Sequence, residues 1–285
     1  MLVAPKLRRL SYADSTALLA RGPRPTIVVC VPTVDEAATI GSICAALVGL
    51  RDRGAIDRVL VLDQSTEDTA AIAERAGAEV IRQDALVPEA GAVRGKGDAM
   101  WRALDAVEED VTVFVDGDTI DFQPHMAADL AAAVALDGFS FTKATYRRPF
   151  ALGDTTLPTG GGRVTELTAK PLLAALHPAL RAFDQPLAGE IAARTDLLRA
   201  LPFAMGYAVD VALLIDTWQA VGLDAMAQVE TGIRRNRHRP LEQLAPMADE
   251  VAGAILHRAG VAAPGMTVPF DRAPMRDRAD LQQAA

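Results

Sequence analysis

Cysteine is almost absent from this 285-residue chain, which holds only Cys30 and Cys44. Two thiols cannot build a disulfide scaffold or a zinc ribbon. Their settings, an apolar run and a helix-like pattern, predict buried free thiols. Aromatics are scarce at 5%, so the core is expected to be rich in alanine and valine. Basic residues are in the minority, with 29 Lys+Arg against 37 Asp+Glu and a formal charge of −8. A far field of that sign repels polyanions, which argues against a general binder of nucleic acid or of an anionic membrane. It leaves room for a small anion held by a local basic patch. No apolar run approaches the roughly 18 residues of a spanning helix. The basic residues near Met1 are not followed by the apolar stretch of a signal peptide. The expectation is a soluble, cytoplasmic protein.

What is present is an alternation of short apolar strands and helices. Residues 26–32 (TIVVCVP) read as a strand buried on both faces, followed by a helix over 37–50 with Asp35 as its N-cap. Strands are expected again over 58–63, 79–81 and 111–116, with helices over 66–76 and 97–108 between them. Such alternation means an open, mostly parallel sheet that binds ligands at the carboxyl ends of its strands. Polar residues gather at those ends: 32–36, 63–65 and 116–118. The second half is less regular. An antiparallel strand is expected over 138–146, helices over 164–176, 188–200, 209–221 and 240–257, and a last strand over 225–232. The organisation expected is an N-terminal helical segment over 1–24, a Rossmann-like half over 25–146, a second half of the same domain over 147–263, and a weakly ordered tail over 264–285.

Four constellations could carry chemistry. Asp116-Gly117-Asp118 puts two carboxylates at the end of an apolar strand, where one can reach a ligand hydroxyl and the other a hard divalent cation. Turns use the same triplet, so its position after VTVFV is what raises it. Lys96 stands between two glycines immediately before a helix and can approach a phosphate, although the spacing is not that of a P-loop. Gly160-Gly161-Gly162-Arg163-Val164-Thr165 offers a wrapping backbone, a guanidinium and a hydroxyl to one anion. The run 231–240 (TGIRRNRHRP) crowds Arg234, Arg235, Arg237, His238 and Arg239 together against the acidic average. Asp210, at the start of an apolar helix, and Glu190 each have an ordinary reading as a helix-start acid. The charge run Asp105, Glu108, Glu109 and Asp110 reads as solvated surface.

In order and content these motifs resemble the glucosyl-3-phosphoglycerate synthases, retaining glycosyltransferases of the GT-A fold, a Rossmann-like, mostly parallel sheet flanked by helices. The resemblance covers roughly residues 25–260 and rests on PTVDE, DQSTEDT, RGKGDAMW, VDGD, GGGRVTEL, PFAMGYAVD and RRNRHRPL. It implies transfer of glucose from a nucleotide-diphosphate sugar, UDP- or GDP-glucose, to 3-phosphoglycerate, with Mg²⁺ or Mn²⁺ and in a homodimer. Pro32, Thr33, Val34, Asp35 and Glu36, with Asp63 and Ser65, would hold the donor's nucleoside. Asp116 and Gly117 would meet its ribose region, and Lys96, Arg234 and Arg239 its diphosphate. Tyr207 and Asp210 would line the sugar pocket, where the family has Glu in place of Asp210; the shorter acid leaves about one methylene (~1.5 Å) of extra room. Gly162, Arg163, Val164 and Thr165 would bind the acceptor's phosphate. The implied catalytic set is Asp118, Asp210, Lys96 and Arg234.

Asp118 would ligate the metal. The family loop reads His-Arg-Asn where this chain has Asn236-Arg237-His238. Either an Asn236 oxygen completes the metal site, favouring Mg²⁺, or a shifted loop brings His238 to metal and acceptor. Another sugar or acceptor is the first alternative activity. A nucleotidyltransferase would want a glycine-rich loop, and residues 24–36 hold no glycine. A non-catalytic nucleotide-sugar binder is the remaining alternative.

Overall fold

The computed structural model describes residues 6–152, 155–157, 161–235, 241–261 and 264–277. In chain order the elements are β1 (Arg8–Leu10), α1 (Ser15–Leu19), β2 (Ile27–Thr33), α2 (Ile40–Asp52), β3 (Arg58–Asp63), α3 (Thr69–Arg75) and β4 (Glu79–Arg82). Then come α4 (Gly95–Ala106), β5 (Val111–Phe114), α5 (His125–Ala135), β6 (Phe141–Arg147), β7 (Phe150–Leu152), β8 (Thr155–Leu157) and α6 (Lys170–Leu176). The last are β9 (Ile191–Arg194), α7 (Thr195–Arg199), β10 (Phe203–Ala204), α8 (Val209–Val221), β11 (Met226–Ile233), α9 (Leu241–Arg258) and β12 (Asp271–Arg272).

Eight strands form one sheet in the order β1-β11-β6-β9-β5-β2-β3-β4. Every pairing is parallel except those of β9, which runs antiparallel to both β5 and β6. β2, β3 and β5 are buried on both faces, as their unbroken apolar runs require. One apolar cluster covers the face under α4, α8 and α9, and a second covers the face under α2 and α5. Cys30 and Cys44 are buried free thiols, and burial pushes Cys44 up to about 12.

Several expectations are corrected. Residues 188–200 hold the strand β9 and only five helical residues, because pairing between β5 and β6 overrides the helix preference of alanine. β6 is antiparallel only toward β9 and is parallel to β11. Asp35 does not cap α2. It takes a left-handed backbone (φ 56°), and its carboxylate accepts from the Thr66 amide at 2.8 Å. The N-terminal segment adds a strand, β1, to its helix. Lys96 lies inside the first turn of α4 rather than before it.

Part of the expected tail is firmly packed. β12 pairs with β10, and Arg272 grips the buried Asp98 of α4 at 2.9 Å. The Arg272 guanidinium also stacks on the Trp101 ring, and the Trp101 indole donates to the Ala273 carbonyl. Helix α4 can approach β10 because residue 97 has no side chain; a Cβ there would collide with the Ala204 carbonyl. Gly97→Ala is expected to lower stability by about 1–3 kcal/mol, the usual cost of forced overpacking. Urea unfolding checks it, and an unchanged midpoint would contradict the close packing described.

Candidate active site

Parallel strands all end on the same edge of the sheet, so β2, β3, β5, β6 and β11 deliver their following residues to one place. β9 runs the other way and therefore brings its preceding residues, Gly189 and Glu190, to that same edge. The first turns of α4 and α8 add Lys96 and Asp210. The result is a cleft of about 300 Å³.

At its floor Lys96 bridges two carboxylates, with its Nζ 2.8 Å from Asp116 and 3.1 Å from both oxygens of Asp210. Gly189 makes this contact possible, since a Cβ there would run into the Asp116 carboxylate and the Lys96 ammonium. Arg234, only 5% exposed, spans Asp116 at 2.7 Å and Asp118 at 3.2 Å. Its other terminal nitrogen donates to the buried Glu190, and its guanidinium lies over the Tyr146 ring. Among the described residues, Glu190 Oε2 and Arg234 Nε are buried without a hydrogen-bond partner.

The charges hold one another in place. Burial alone would push the Asp116 carboxyl up, but Lys96 and Arg234 outweigh it and hold that group well below the usual carboxylate range. Burial opposes the charge on Lys96 and on Arg234, and the neighbouring carboxylates reverse the outcome and raise both. Glu190 and Asp210 remain raised, because their burial exceeds the help of Arg234 and of Lys96.

Of the residues expected from sequence, Pro32, Glu36, Lys96, Asp116, Gly117 and Asp118 line the cleft. Gly162, Arg163, Val164, Thr165, Tyr207, Asp210 and Arg234 line it too. Gly162 has φ 79° and opens a π-helical turn, Thr165–Ala169, that runs on into α6. Thr33, Val34, Asp35, Asp63 and Ser65 are not among the lining residues. The hydroxyls of Thr33 and Ser65 both donate to Asp63, and the Asp35 amide donates to Ser65, so these groups satisfy one another in a turn beside the cleft. Asn236, Arg237, His238 and Arg239 lie outside the described residues, as does Gly160. Arg235 pairs with Asp121, and a bridge joins it to Ile120, which ties the end of β11 to the loop after Asp118.

Sequence reasoning missed several residues. Leu244, Met247 and Val251 of α9 form an apolar wall, and their spacing was visible but indistinguishable from core packing. Tyr146 lies in β6 and Arg148 directly follows it. Glu190 carries only a weak signal in sequence, because residues 188–200 read as helix there, whereas the structure pairs it with Arg234.

A divalent cation fits the donor set in one respect. Asp116 and Asp118 offer hard oxygen ligands, Asp118 is 45% exposed, and a cationic guanidinium already lies across the pair. Among the described residues no group of three His, Cys, Asp or Glu side chains could hold a metal ion.

Known proteins with this arrangement can be set beside it. The family model described as "Glycosyltransferase like family 2" matches residues 23–140. The glucosyl-3-phosphoglycerate synthase of Mycolicibacterium paratuberculosis is 46% identical over 241 residues, 83% of this chain and 73% of the relative. That of Petrotoga mobilis is 36% identical over 81% of this chain and 73% of its own length. The crystal structure of the Mycobacterium tuberculosis enzyme with phosphoglyceric acid superposes with a TM-score of 0.85 at 39% identity, covering 95% of this chain and 99% of that one. Its complex with Mn²⁺, UDP and glucosyl-3-phosphoglycerate gives 0.85 at 38%, covering 96% and 100%.

Replacing Arg234 by Met would strip Asp116 and Glu190 of a shared counter-charge. A depressed carboxyl such as Asp116 contributes stability that is complete above its unfolded pKa of about 4 and is lost as pH falls through the folded value. Arg234→Met is expected to cost about 3–5 kcal/mol near neutrality, as a broken buried pair does. It should also move the onset of acid unfolding to higher pH. Urea titrations over a pH series check both, and an unchanged acid limb would contradict the pairing.

Proposed function

This chain belongs to the glucosyl-3-phosphoglycerate synthase family, and from that premise we propose that it transfers glucose from UDP-glucose to 3-phosphoglycerate. The observation that carries this reading is the meeting of two constellations in one cleft: the Asp116/Asp118 pair with its cations, and the Gly162–Arg163–Thr165 turn. The first suits a nucleoside diphosphate with a divalent cation, and the second suits a small phosphorylated acceptor.

Asp118 would hold Mg²⁺ or Mn²⁺, with Asn236 or His238 as the further donor. The cation would neutralise the diphosphate of the donor. Lys96 and Arg234 supply fixed positive charge where the leaving diphosphate gains negative charge, and they need no reorganisation to do so. Arg163 and Thr165 orient the acceptor through its anionic group. The apolar wall of Leu244, Met247 and Val251 limits water on one side.

Retention of anomeric configuration by front-face attack completes the reading. Asp210 is held through both carboxylate oxygens by Lys96, and Glu190 is buried against Arg234, so each is engaged by a cation rather than poised as a covalent nucleophile. We infer from the family resemblance a homodimer acting in the cytoplasm. A second reading, another sugar or phosphorylated acceptor, is favoured by Asp210 standing where the family has Glu and by the exchanged Asn236 and His238.

A matrix of nucleotide-sugars against phosphorylated and unphosphorylated acceptors, with Mg²⁺, Mn²⁺ or EDTA, decides between the readings. We expect metal-dependent UDP release from UDP-glucose that is stimulated by 3-phosphoglycerate, an α-linked product by NMR, and a dimer mass by light scattering. If 3-phosphoglycerate stimulates release from no donor, the acceptor assignment fails. Arg163→Ala is expected to raise KM for the acceptor at least about tenfold, the loss of one charge-assisted contact. UDP affinity, measured by calorimetry, should stay within about twofold. Equal losses for donor and acceptor would refute the division of the cleft.

A further inference from the structure

Under the floor of the cleft lies a cation that the proposed chemistry does not use. Lys143, in the middle of β6, is 0% exposed. It sits between Gln228 of β11 and Ile191 of β9 in the sheet register. Its Nζ donates at 3.0 Å to the main-chain carbonyl of Asp210, the second residue of α8. A leucine or methionine would fill that space without desolvating a charge, so a buried lysine there calls for a reason.

The reason lies in the charge balance. Apart from Lys143, the charged groups of the floor are Lys96 and Arg234 against Asp116, Glu190 and Asp210, with the more exposed Asp118 also on Arg234. Carboxylates already outnumber cations there, and without Lys143 the excess grows by one charge. Asp210, already raised by burial and lowered by the charge of Lys143, would then be pushed further up. A protonated Asp210 would release Lys96 from one of its two carboxylates. We propose that Lys143 is a positioning residue: it fixes the first turn of α8 and keeps Asp210 ionised toward the donor's sugar. This rests on the reading that Asp210 faces that sugar.

Burial pushes Lys143 down to about 8, against the pull of Asp210, Glu190 and Asp116 and with the repulsion of Lys96. Those groups reach it from α8, from the residue before β9, from the loop after β5 and from α4, while β11 offers only the neutral Gln228. Lys96 and Arg234 are held above their ordinary values and burial raises Tyr146, so all three keep their protons as pH passes 8. The ammonium is therefore present below about pH 8 and lost above it.

The test compares the full-length chain with Lys143→Met and Lys143→Arg. Calorimetry with Mn²⁺ measures UDP-glucose and UDP affinities from about pH 6 to about pH 10, bracketing the shifted and ordinary lysine values. The ratio of the two affinities isolates the sugar, and the UDP control cancels titration of the nucleotide. In the parent chain that ratio should fall about tenfold as pH passes 8, equivalent to one unit of coupling. Lys143→Met should show the reduced ratio already at pH 7, without a step and with UDP affinity unchanged. Lys143→Arg, whose charge persists, should keep the high ratio through pH 9 or so. A parent profile flat through pH 8 overturns the proposal without any variant, as does a Lys143→Met chain that keeps the parent ratio. If Lys143→Met does not fold, a Lys143→Arg step at the parent pH overturns it equally. Only donor binding is read, so failure of 3-phosphoglycerate as acceptor would count against the proposed reaction and not against this role of Lys143.

Discussion

A carboxylate taken out of water has to find a cation, and in this protein that requirement reaches across the whole fold. Asp116 follows β5, Glu190 precedes β9 and Asp210 opens α8; their partners Lys96 and Arg234 come from α4 and from the end of β11. Only Lys96 and Asp116 come from neighbouring elements, α4 and β5; the other pairs join segments far apart in sequence. The charges become compatible only when the strand order brings five segments to one edge. The single reversed strand matters here, because its direction is what places Glu190 beside Arg234 rather than at the far edge of the sheet.

The cleft has walls of different character. The sheet side is polar and fixed by paired charges. Opposite it, a glycine-led turn continues into a π-helical turn, and α9 contributes aliphatic side chains. An anionic ligand held on such a floor meets preorganised charge on one side and reduced water on the other, a combination that strengthens electrostatic contacts. The acidic average of the chain describes its outer surface and says little about this interior, where each carboxylate is engaged by a cation.

Much of this was legible in the sequence, for identifiable reasons. β3 and α8 fall where their apolar patterns put them, since neither competes with a tertiary preference of another kind. Asp116, Asp118, Arg163 and Arg234 were marked by local contrast: acids after an apolar strand, an arginine after glycines, basic residues in an acidic chain. Glu190 was obscured because the alanines around β9 favour helix in isolation, and only the slot between β5 and β6 makes them a strand. Lys143 gave no signal at all; a lysine in a strand reads as solvent-facing until both neighbours of that strand are known. Asp35 looked like a helix cap because the type of residue was right, while its backbone conformation depends on Thr66 and Ser65, thirty residues away.

The grip of Arg272 on Asp98 spans 174 residues. Asp98 lies one half-turn beyond Lys96, and Trp101 on the same helix is held by Arg272 and Ala273. During synthesis the helix that carries Lys96 can therefore form early, but its clamp cannot close until residues 271–273 have been added. One wall of the cleft is in this sense locked by a segment made long after it, so that a local helix owes its final hold to a distant stretch of chain.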